Sequence, residues 1–559
     1  MNTYLLRLLS LVFSWLIVAY GQEANYPILG PIAAIFGYTL FWAALPQDSP
    51  KRTRFILSLV WYIAVQLVQF SWFGKHYYSE LYLYAAYGIL VTAMAFQFAV
   101  FTNFIPLQLY RWKLYHFLVL PGFWVLLELM RLLPMTGSTW SPAGLALAST
   151  LPGAQLAAIG GVYLLSYWVI LTNLLTFYLW QRLVSTKTDL RMIFVTFFFL
   201  ALTPYLYGWG HIGWHQHRIA TQSNDLKKID VVLLDTHFTV PEKHAVSENW
   251  QQEMIHPLEQ WRSMLQALKP LQHQKIDLLL LPEGAFPFDL CYPFYSFAEM
   301  EKIFFEETGA IFPLPDLVAP WVFEKKQENK SSIWGINNGY LAQVLALWLS
   351  TEVVIGLGDD GIYNSAFHFA ATGELRDRYA KRVLVPMGEY IPYDWVKELS
   401  AIYGVYDSFQ VGEKAQIFKG ATPMGISICY EETYGHLMRE NRHLGAEVLL
   451  NLTSDVWFPN SGLDKQHLAH ARLRTVENGF PLLRSCNMGI SAVIDAVGES
   501  VKYDQKTSSQ QNKVHAFYYA NLPIYHYSTL YTYWGDYFIS GISLLGMLLG
   551  LIQSRRFYH

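Results

Sequence analysis

Three side chains that could react together lie in the C-terminal half of the sequence, and two of them come just after predicted strands. Glu283 comes just after the apolar run Ile276 to Leu281, and Cys429 comes directly after the run Gly425 to Ile428. Lys381 lies between them in the chain. A glutamate, a lysine and a cysteine supply a base, a cation and a nucleophile. Because ligands usually bind at the ends of strands in an α/β sheet, the three residues predict an active site.

Each of these residues also has an ordinary structural explanation. A glutamate at a strand end is usually solvated or caps a helix, a lysine is usually exposed, and a lone cysteine often serves as a small buried apolar residue. The position of Cys429 favours chemistry, because a thiol between a strand and a helix N-terminus meets unpaired backbone N–H groups. These groups are expected to favour the thiolate and to offer an oxyanion hole.

The elements that must position these residues alternate between predicted strands and helices from about Lys228 to Tyr527. The predicted strands are Ile229 to Leu234, Ile276 to Leu281, Val353 to Leu357, Ala366 to Phe369, Gly425 to Ile428 and Val448 to Leu452. The predicted helices are Trp250 to Leu271 and Gln466 to Asn478. This alternation predicts one α/β domain, and Gln505 to Lys513 is interpreted as a polar surface turn.

Several other classes of site find no support in the sequence. It shows no P-loop, no internal repeat and no zinc-ligand spacing. His467 and His470 lack Cys or carboxylate companions at ligand spacing, so we interpret them as core or helix-surface residues and expect no metal or cofactor. The net charge of -3 argues against nucleic acid as a partner, and three cysteines are too few for a disulfide framework.

The first two fifths of the chain have the composition of a membrane protein. Of 559 residues, 53% are hydrophobic and 15% are charged, whereas soluble proteins have about 25% charged residues. Eight apolar runs approach the roughly 20 residues that cross a bilayer. These predicted spans are Leu5 to Tyr20, Ile28 to Leu45, Phe55 to Phe73, Leu81 to Phe101, Tyr115 to Met130, Ile159 to Trp180, Met192 to Trp209 and Tyr533 to Ile552. The first two are short enough to form a re-entrant hairpin instead.

The basic residues of the short loops predict the orientation, since cytoplasmic loops are enriched in Lys and Arg. With eight spans, one side carries Arg7, Lys51, Arg52, Arg54, Arg111, Lys113, Arg182, Lys187, Arg191, Arg555 and Arg556. The short loops of the other side carry only Lys75 and Arg131. We therefore predict a transmembrane domain over residues 1–227, an extracytoplasmic catalytic domain over 228–527, and a final span with a cytoplasmic tail over 528–559.

The motifs around the three reactive residues resemble those of the apolipoprotein N-acyltransferase family, the membrane-embedded branch of the nitrilase superfamily. In the catalytic part they are Cys429-Tyr430-Glu431, Lys381, Leu384-Val385-Pro386, Gly388-Glu389-Tyr390, Asn451 to Phe458, Gln466-His467, Ala471 to Arg474, Glu477-Asn478-Gly479 and Asn487 to Ser491. In the membrane part they are Trp124, Glu128, Arg131, Thr136-Gly137, Trp140, Gln155 and Gly161-Val162-Tyr163. The resemblance therefore extends over nearly the full length.

This resemblance implies both a fold and a reaction. The fold is a polytopic helical domain of about eight spans joined to a nitrilase-like αββα sandwich. The reaction moves an acyl chain from a phospholipid, through a cysteine thioester, to the N-terminal amine of a diacylglyceryl apolipoprotein. The resemblance makes Glu283 the proton acceptor, Lys381 the oxyanion stabiliser and Cys429 the nucleophile, with Glu389, Tyr430 and Glu431 in support. It places the enzyme in a bacterial inner membrane, with the catalytic domain in the periplasm.

Four departures from the family pattern lie near the predicted site. Asp235-Thr236-His237 replaces the usual Gln-Gly-Asn, and Thr453-Ser454-Asp455 replaces Ser-Asn-Asp. Leu281 stands where many members have Trp, and Cys486 replaces a small residue and is interpreted as a buried core thiol. These changes bear on the acceptor preference and on the surroundings of the site, and they leave the triad untouched.

Two other functions are compatible with parts of the sequence. A membrane-anchored amidase of the same superfamily would need no lipid, and the motifs between Glu128 and Tyr163 argue against it. A transporter would need ionisable residues deep in its spans, where this chain has mostly Gln66, Gln69 and Gln97. Glu128 and Arg131 lie one helical turn apart, so we expect a structural ion pair, with a lipid head-group site as the alternative.

Overall fold

A computed structural model describes residues 3–22, 26, 28–77, 81–185, 191–239, 257–313, 315, 319–326, 332–398, 408–501 and 513–555. The N-terminal part is helical. Its helices are α1 (Thr3–Tyr20), α2 (Leu29–Ile32), α3 (Tyr38–Ala44), α4 (Lys51–Gln69), α5 (Leu81–Thr102), α6 (His116–Met130), α7 (Leu145–Ala148), α8 (Leu151–Ala154), α9 (Ala157–Ser185) and α10 (Arg191–Thr221). A π-helical turn, Ala33–Gly37, joins α2 to α3.

The predicted apolar runs of this part are all helical, but the number of membrane spans is not confirmed. Among the described helices, two segments, Leu83–Thr102 and Ala157–Ser185, are long and apolar enough to cross a bilayer. Helices α1 and α2–α3 pack antiparallel, with the Ser10 hydroxyl donating to Leu40 and the Ser14 hydroxyl donating to Gly37. This packing is compatible with both two spans and the re-entrant hairpin.

Helix α9 contains a break that fits the motif Gly161-Val162-Tyr163. Gly161 has φ +69°, and a Cβ there would lie 2.5 Å from the ring of Tyr531. Glycine is therefore required by both the backbone and the close approach. The N–H of Val162, freed by the break, donates to Glu477 Oε1 at 2.9 Å. The break thus fixes the helical part to the catalytic part.

The catalytic part is built around one large mixed sheet. Its strands are β1 (Lys228–Thr236), β2 (Leu278–Leu280), β6 (Glu352–Asp359), β7 (Tyr363–Phe369), β8 (Leu375–Ala380), β9 (Ile417–Lys419), β10 (Pro423–Ile428), β11 (Val448–Ser454), β12 (Leu482–Asn487), β13 (Ala492–Ile494), β14 (Ser500–Val501) and β15 (Val514–Pro523). A smaller sheet contains β3 (Tyr295–Ser296), β4 (Val322–Lys326) and β5 (Ser332–Ile336). The large sheet has the order β8-β7-β6-β2-β1-β12-β11-β10-β9.

This sheet folds over on itself. Leu280 and Ile428 share one buried apolar cluster with Tyr379 and Phe418, which lie on strands at the two ends of the sheet. Strands β8 and β9 also contact each other. The predicted sandwich of two sheets is therefore a single near-barrel sheet of twelve strands in the part of the chain that the structure describes. The nitrilase-like α/β class stands.

Helices pack on the outer faces of this sheet. They are α11 (Pro257–Leu268), α12 (Phe297–Thr308), α13 (Asn338–Leu349), α14 (Gly435–His443), α15 (Leu463–Asn478), α16 (Leu530–Trp534) and α17 (Tyr537–Arg555). The predicted helix Trp250 to Leu271 corresponds to α11 and the 3-10 turn Lys269–Leu271, and its residues 250–256 lie outside the described residues. In the predicted surface turn, residues 505–512 also lie outside them.

Candidate active site

Glu283 is held at the end of β2 by the neighbouring strand β6. The chain continues the strand pairing beyond Leu280, since Leu281 N–H donates to Val354 O at 2.9 Å. A Cβ at Gly356 would lie 2.7 Å from the Cα of Glu283, so β6 needs glycine at this point. The side chain of Glu283 keeps 13% of its surface exposed. It is therefore a carboxylate at the mouth of the sheet with partial access to solvent.

Lys381 follows β8 and is almost completely buried, with 1% of its side chain exposed. Its Nζ lies 3.2 Å from Glu283 Oε1 and 2.8 Å from Glu389 Oε1. Burial alone lowers the pKa of Lys381, but the charges of Glu283 and Glu389 outweigh burial and hold that pKa well above its usual value. The amine is a permanent buried cation.

Asn364 joins the two carboxylates and was not predicted from the sequence. Its Nδ2 donates to Glu283 Oε1 at 2.7 Å and to Glu389 Oε1 at 2.8 Å, while Lys381 N–H donates to Asn364 O. The other oxygen of Glu389 accepts from Val385 N–H at 2.8 Å. We call Glu283, Lys381, Glu389 and Asn364 the lysine cluster. Its hydrogen bonds fix the carboxylates and leave little rotamer freedom to the lysine.

Cys429 lies at the start of a short 3-10 turn, Cys429–Thr433, directly after β10. Its φ is +52°, a left-handed conformation that costs a non-glycine residue roughly 1–3 kcal/mol and clusters at functional sites. Its Sγ lies 4.0 Å from the carbonyl of Ser454. Burial and the charge of Glu283 raise the pKa of the thiol, while Lys381 lowers it, so Cys429 interacts electrostatically with both partners.

The expectation that a helix N-terminus favours the thiolate is therefore wrong. The turn after Cys429 is a five-residue 3-10 helix, and the net effect of its surroundings is a raised thiol pKa. Burial disfavours the charged form of a thiol, and the nearby Glu283 carboxylate adds to this effect. A thiol with a raised pKa needs an acceptor for its proton before it can act as a nucleophile.

Tyr430 and Glu431 position the turn that carries Cys429. Glu431 is fully buried and accepts from Ile428 N–H at 2.7 Å, from Arg382 N–H at 2.6 Å and from the Tyr379 hydroxyl. It therefore ties the nucleophile turn to the lysine segment.

The neighbouring residue reaches the helical part instead. Tyr430 donates to Gly137 O at 3.0 Å and stacks on Trp140 with 5.8 Å between ring centroids. The supporting residues named from the sequence thus connect Cys429 to two other parts of the fold.

A second buried charge cluster lies beside the nucleophile turn. Arg484 is fully buried, forms an ion pair with Glu432, and lies 3.2 Å from Asp455 Oδ2. His467 lies between the two carboxylates, 3.1 Å from Glu432 and 2.9 Å from Asp455. We call these four residues the arginine cluster. His467 and His470 are both buried, in agreement with their interpretation as core residues.

The sequence departures meet around Asn487. Thr236 donates to Asn487 Oδ1 at 2.8 Å, and Asn487 Nδ2 donates to the Ser454 hydroxyl at 3.2 Å. The backbone carbonyl of Ser454 is a hydrogen-bond acceptor for Cys429 Sγ, at 4.0 Å. Cys486 is a buried thiol, as predicted, with its Sγ 3.6 Å from Asp455 Oδ2. Two of the departures, at Thr236 and Ser454, therefore share Asn487 as a hydrogen-bond partner.

The membrane-part motifs lie at the junction with the catalytic part. Tyr434 donates to the carbonyls of Thr136 and Gly137, and Gln155 Nε2 donates to Val497 O at 2.9 Å. Trp140 packs edge-on against His470, with 5.3 Å between centroids. These motifs therefore hold the helical part against the nucleophile turn.

The expected ion pair between Glu128 and Arg131 is absent from the described residues. Glu128 Oε1 instead accepts from Trp124 Nε1 and from Ala143 N–H, both at 2.8 Å. Arg131 Nε donates to Gln97 Oε1 at 2.8 Å, and its guanidinium lies over the Trp124 ring. The two charges are thus oriented by neutral partners on α6 itself, on α5 and in the loop before α7.

Comparisons with known proteins agree with this geometry. The profile described as "Apolipoprotein N-acyltransferase N-terminal domain" matches residues 24–175, and the one described as "Carbon-nitrogen hydrolase" matches residues 252–509. The first profile covers the helices that dock on the nucleophile turn, and the second covers Glu283, Lys381 and Cys429. The two profiles therefore cover the residues on both sides of the contact between the helical part and the nucleophile turn.

Similar proteins extend over nearly the whole chain. The apolipoprotein N-acyltransferase of Chlamydia pneumoniae is 29% identical over 559 residues, covering 95% of this chain and 95% of that protein. The Chlamydia caviae protein of the same name is 27% identical, covering 97% and 96%. A Haemophilus influenzae protein of that name is 25% identical, covering 95% and 94%. Among solved structures, a nitrilase-superfamily amidase from Nesterenkonia AN1 is 15% identical at a TM-score of 0.32, covering 53% of this chain and 92% of that one.

Proposed function

We propose that this chain is an acyltransferase of the apolipoprotein N-acyltransferase family, and that it acylates lipoproteins through a thioester on Cys429. The donor is a phospholipid and the acceptor is the N-terminal amine of a diacylglyceryl-cysteine. The observation that carries this proposal is the junction itself. A cysteine with a carboxylate and a buried lysine beside it lies where the helical family domain packs on the carbon-nitrogen hydrolase domain.

The first half-reaction begins with a protonated thiol. Glu283 accepts the proton of Cys429, and the thiolate attacks the carbonyl carbon of the phospholipid ester. Lys381 stabilises the oxyanion of the tetrahedral intermediate, because its charge is fixed by Glu283 and Glu389. The intermediate collapses by breaking the ester C–O bond, and Glu283 returns its proton to the departing lysophospholipid oxygen. The acyl chain then remains on sulfur.

The second half-reaction uses the same groups in reverse. The amine of the acceptor attacks the thioester carbonyl, and Glu283 accepts the proton that the amine loses. The C–S bond breaks, the sulfur of Cys429 recovers the proton, and the product leaves as an amide. Because an amide is more stable than a thioester, this half-reaction runs towards transfer.

The other residues of the lysine cluster act by position. Asn364 donates to both carboxylates and so keeps an oxygen of Glu283 directed at Lys381. Glu389 supplies a second negative charge for Lys381, which allows Glu283 to gain and lose a proton without leaving the lysine unpaired. We therefore assign Glu389 and Asn364 as positioning residues.

Acyl transfer must compete with hydrolysis of the thioester, and the surface of the helical domain favours transfer. Its outward surface carries many exposed apolar side chains, including Phe13, Ile89, Phe96 and Phe199. Burying each methylene of an acyl chain contributes about 0.8 kcal/mol, so a site at a bilayer concentrates lipids and excludes water. We propose that residues 1–227 embed the enzyme in a bacterial inner membrane, and that the final helix α17 returns to it.

The proposed chemistry is tested by mass spectrometry of the purified full chain after incubation with phospholipid. Transfer through Cys429 predicts an added acyl mass on the peptide that contains it, and loss of that mass when a diacylglyceryl lipopeptide with a free amine is added. An N-acetylated lipopeptide is the matched control, because it leaves the thioester intact. Release of the acyl chain to water at the same rate with either peptide would point to an amidase or esterase.

The proposed orientation places the catalytic domain on the periplasmic side. Single cysteines at Ser185 and Ser500, both exposed, would be introduced after replacing Cys291, Cys429 and Cys486 with serine. An impermeant thiol reagent applied to spheroplasts, which lack the outer membrane, is expected to label the Ser500→Cys chain and not the Ser185→Cys chain. The reverse pattern would place the site in the cytoplasm, where no lipidated amine is presented.

A further inference from the structure

A basic cavity opens at the end of the helical domain where α4 begins and α6 begins. Its volume is about 420 Å³, large enough for a small polar ligand. The residues that line it include Lys51, Arg54, Phe104, Arg111 and Lys113. Four of them are cations, and none is a carboxylate. We call this site the basic cavity.

The arginines of the basic cavity, Arg54 and Arg111, donate long hydrogen bonds to uncharged groups. Arg54 donates to the carbonyls of Ser49 and Ile105, each at 3.4 Å, and Arg111 Nε donates to the Tyr110 hydroxyl at 3.3 Å. Within the described part of the chain, no carboxylate lies within 4 Å of the guanidinium group of Arg54 or Arg111. Two guanidinium groups at one cavity with no counter-charge form a site suited to an anion.

The carboxylate of Asp48 is engaged by a neutral donor, since it accepts from Gln108 Nε2 at 2.8 Å. Gln108 Oε1 in turn accepts from the Tyr110 hydroxyl at 2.6 Å, and Arg111 donates to that hydroxyl. The contact of Arg111 with Asp48 is therefore indirect, and both arginines keep donors for an anionic ligand.

The rim of the cavity is apolar and exposed. Phe104 is 60% exposed, and Leu114, which follows Lys113, is 87% exposed. A free anion gains nothing from such a rim, whereas the acyl chains of a lipid would cover it. Arg54 lies 15 residues before Gln69, whose carbonyl accepts from Gln466 of the catalytic domain. At 1.5 Å per residue the cavity is about 22 Å along α4 from that contact, so it is separate from the active site.

We propose that the basic cavity binds the phosphate of a phospholipid head group, with the acyl chains resting on Phe104 and Leu114. The site goes beyond the acyl-donor site, because it lies at the other end of α4. Arg54 and Arg111 clamp the phosphate oxygens.

The test measures binding of dioleoyl-phosphatidylglycerol to the full chain by native mass spectrometry in detergent. The Cys429→Ala chain is the background, so that turnover does not consume the lipid. The pair Arg54→Gln and Arg111→Gln is expected to weaken binding about tenfold or more, since each arginine supplies a charge-assisted hydrogen bond. The matched control is Arg182→Gln, a basic residue outside the cavity that contacts Tyr178, and it is expected to stay within about twofold.

Further measurements distinguish the effect of the charges from that of the lipid chains and from misfolding. Dioleoylglycerol, which lacks the phosphate, is expected to bind all these chains equally, and inorganic phosphate is expected not to compete with the phospholipid at equal concentration. The pair Arg54→Lys and Arg111→Lys keeps the charge and is expected to recover most of the binding. Equal binding by the glutamine pair and the Arg182→Gln control would overturn the proposal. Equal loss in the lysine and glutamine pairs would also overturn it, and competition by inorganic phosphate would refute the lipid assignment.

Discussion

Two clusters of buried charge lie beside the nucleophile turn, and they differ in how they meet solvent. The lysine cluster surrounds Lys381 with Glu283 and Glu389, whose side chains each keep 13% of their surface exposed. The arginine cluster surrounds Arg484 with Glu432 and Asp455, which are 0% and 3% exposed. The same kinds of groups therefore occur once at an opening and once in a sealed interior.

This difference separates a chemical role from a structural one. A carboxylate that is partly accessible to solvent can gain and lose a proton during a reaction. In a fully buried ion pair, the attraction and the hydrogen bonds offset the free energy lost when the charges leave water. If only charge and burial were considered, either cluster could be chosen as the reactive one. Access to the substrate side is the property that distinguishes them.

The thiols of Cys429 and Cys486 give the largest contrast. We expect Cys429→Ala to abolish transfer, with a loss of about 10⁴-fold or more, and Cys429→Ser to come close to it because a hydroxyl is far less acidic. Cys486→Ala is the matched control, since Cys486 contacts the arginine cluster through Asp455. Transfer rates would be measured with a fluorescent lipopeptide acceptor. Activity within tenfold of wild type for Cys429→Ala would contradict covalent catalysis.

Replacing one glutamate by glutamine in each cluster tests whether the two clusters have different roles. Glu283→Gln is expected to lower the transfer rate by about 10²–10⁴-fold through loss of the proton acceptor, with little change in thermal stability. Glu432→Gln is expected to cost about 1–3 kcal/mol of stability while the rate per folded molecule stays within about tenfold. Both chains would be assayed for rate and for unfolding midpoint. Interchanged results would mean that the arginine cluster carries the chemistry.

Removal of the central cation of the arginine cluster tests how structural that cluster is. Arg484→Met leaves Glu432 and Asp455 buried without their partner, so we expect a loss of about 3–5 kcal/mol in the free energy of unfolding. Denaturant unfolding of the detergent-solubilised chain measures this. A midpoint equal to that of the wild type would show that the cluster adds nothing to stability.

The sequence was enough to select the three residues of the proposed site, but it missed the groups that surround them. Glu283, Lys381 and Cys429 follow predicted apolar runs or carry family motifs, so local patterns were enough to select them. Asn364 looks like any polar residue before a strand, and only the pairing of β7 with β8 brings it to both carboxylates. The raised pKa of Cys429 depends on burial by distant segments, which no local pattern contains.

The fold divides in the same way. Runs of apolar residues identified strands such as β1, β10 and β11, whose faces are both buried. The strand β8 carries three consecutive charged residues, Arg376, Asp377 and Arg378, and was missed. The strand β12, which carries Arg484 in the core, was also missed. The closure of the sheet depends on contacts between its first and last strands, so the sequence could not distinguish a sandwich from a near-barrel.

Asp235 is a buried carboxyl outside both clusters, and among the described residues it lies 3.5 Å from the imidazole of His237 with no Lys or Arg in ion-pair contact. Burial raises its pKa to about 8, and its neighbour His237 has a pKa lowered by burial and by His515. A carboxyl with a raised folded-state pKa contributes stability below its unfolded pKa of about 3.9, and that stability falls as the pH rises towards 8.

Asp235→Asn is therefore expected to remove this pH dependence. The variant and the wild type should unfold at similar denaturant concentrations near pH 4, and the variant should be more stable by roughly 2–4 kcal/mol at pH 8. Unfolding midpoints at several pH values would measure this. Parallel curves for the two chains would show that Asp235 ionises normally in the folded protein.

The smallest expected effect concerns the hydroxyl that ties the nucleophile turn to the helical domain. Tyr430→Phe removes the bond to Gly137 O and keeps the stack on Trp140, so we expect a stability loss of about 0.5–1.5 kcal/mol. Tyr434→Phe is the matched control, because its hydroxyl donates to the same carbonyl at 3.1 Å. Both variants should lose similar stability, but only Tyr430→Phe should lower kcat, by a few-fold, since Tyr430 is bonded directly to Cys429. Equal kcat in the two variants would show that the helical domain supports the turn without aligning the nucleophile.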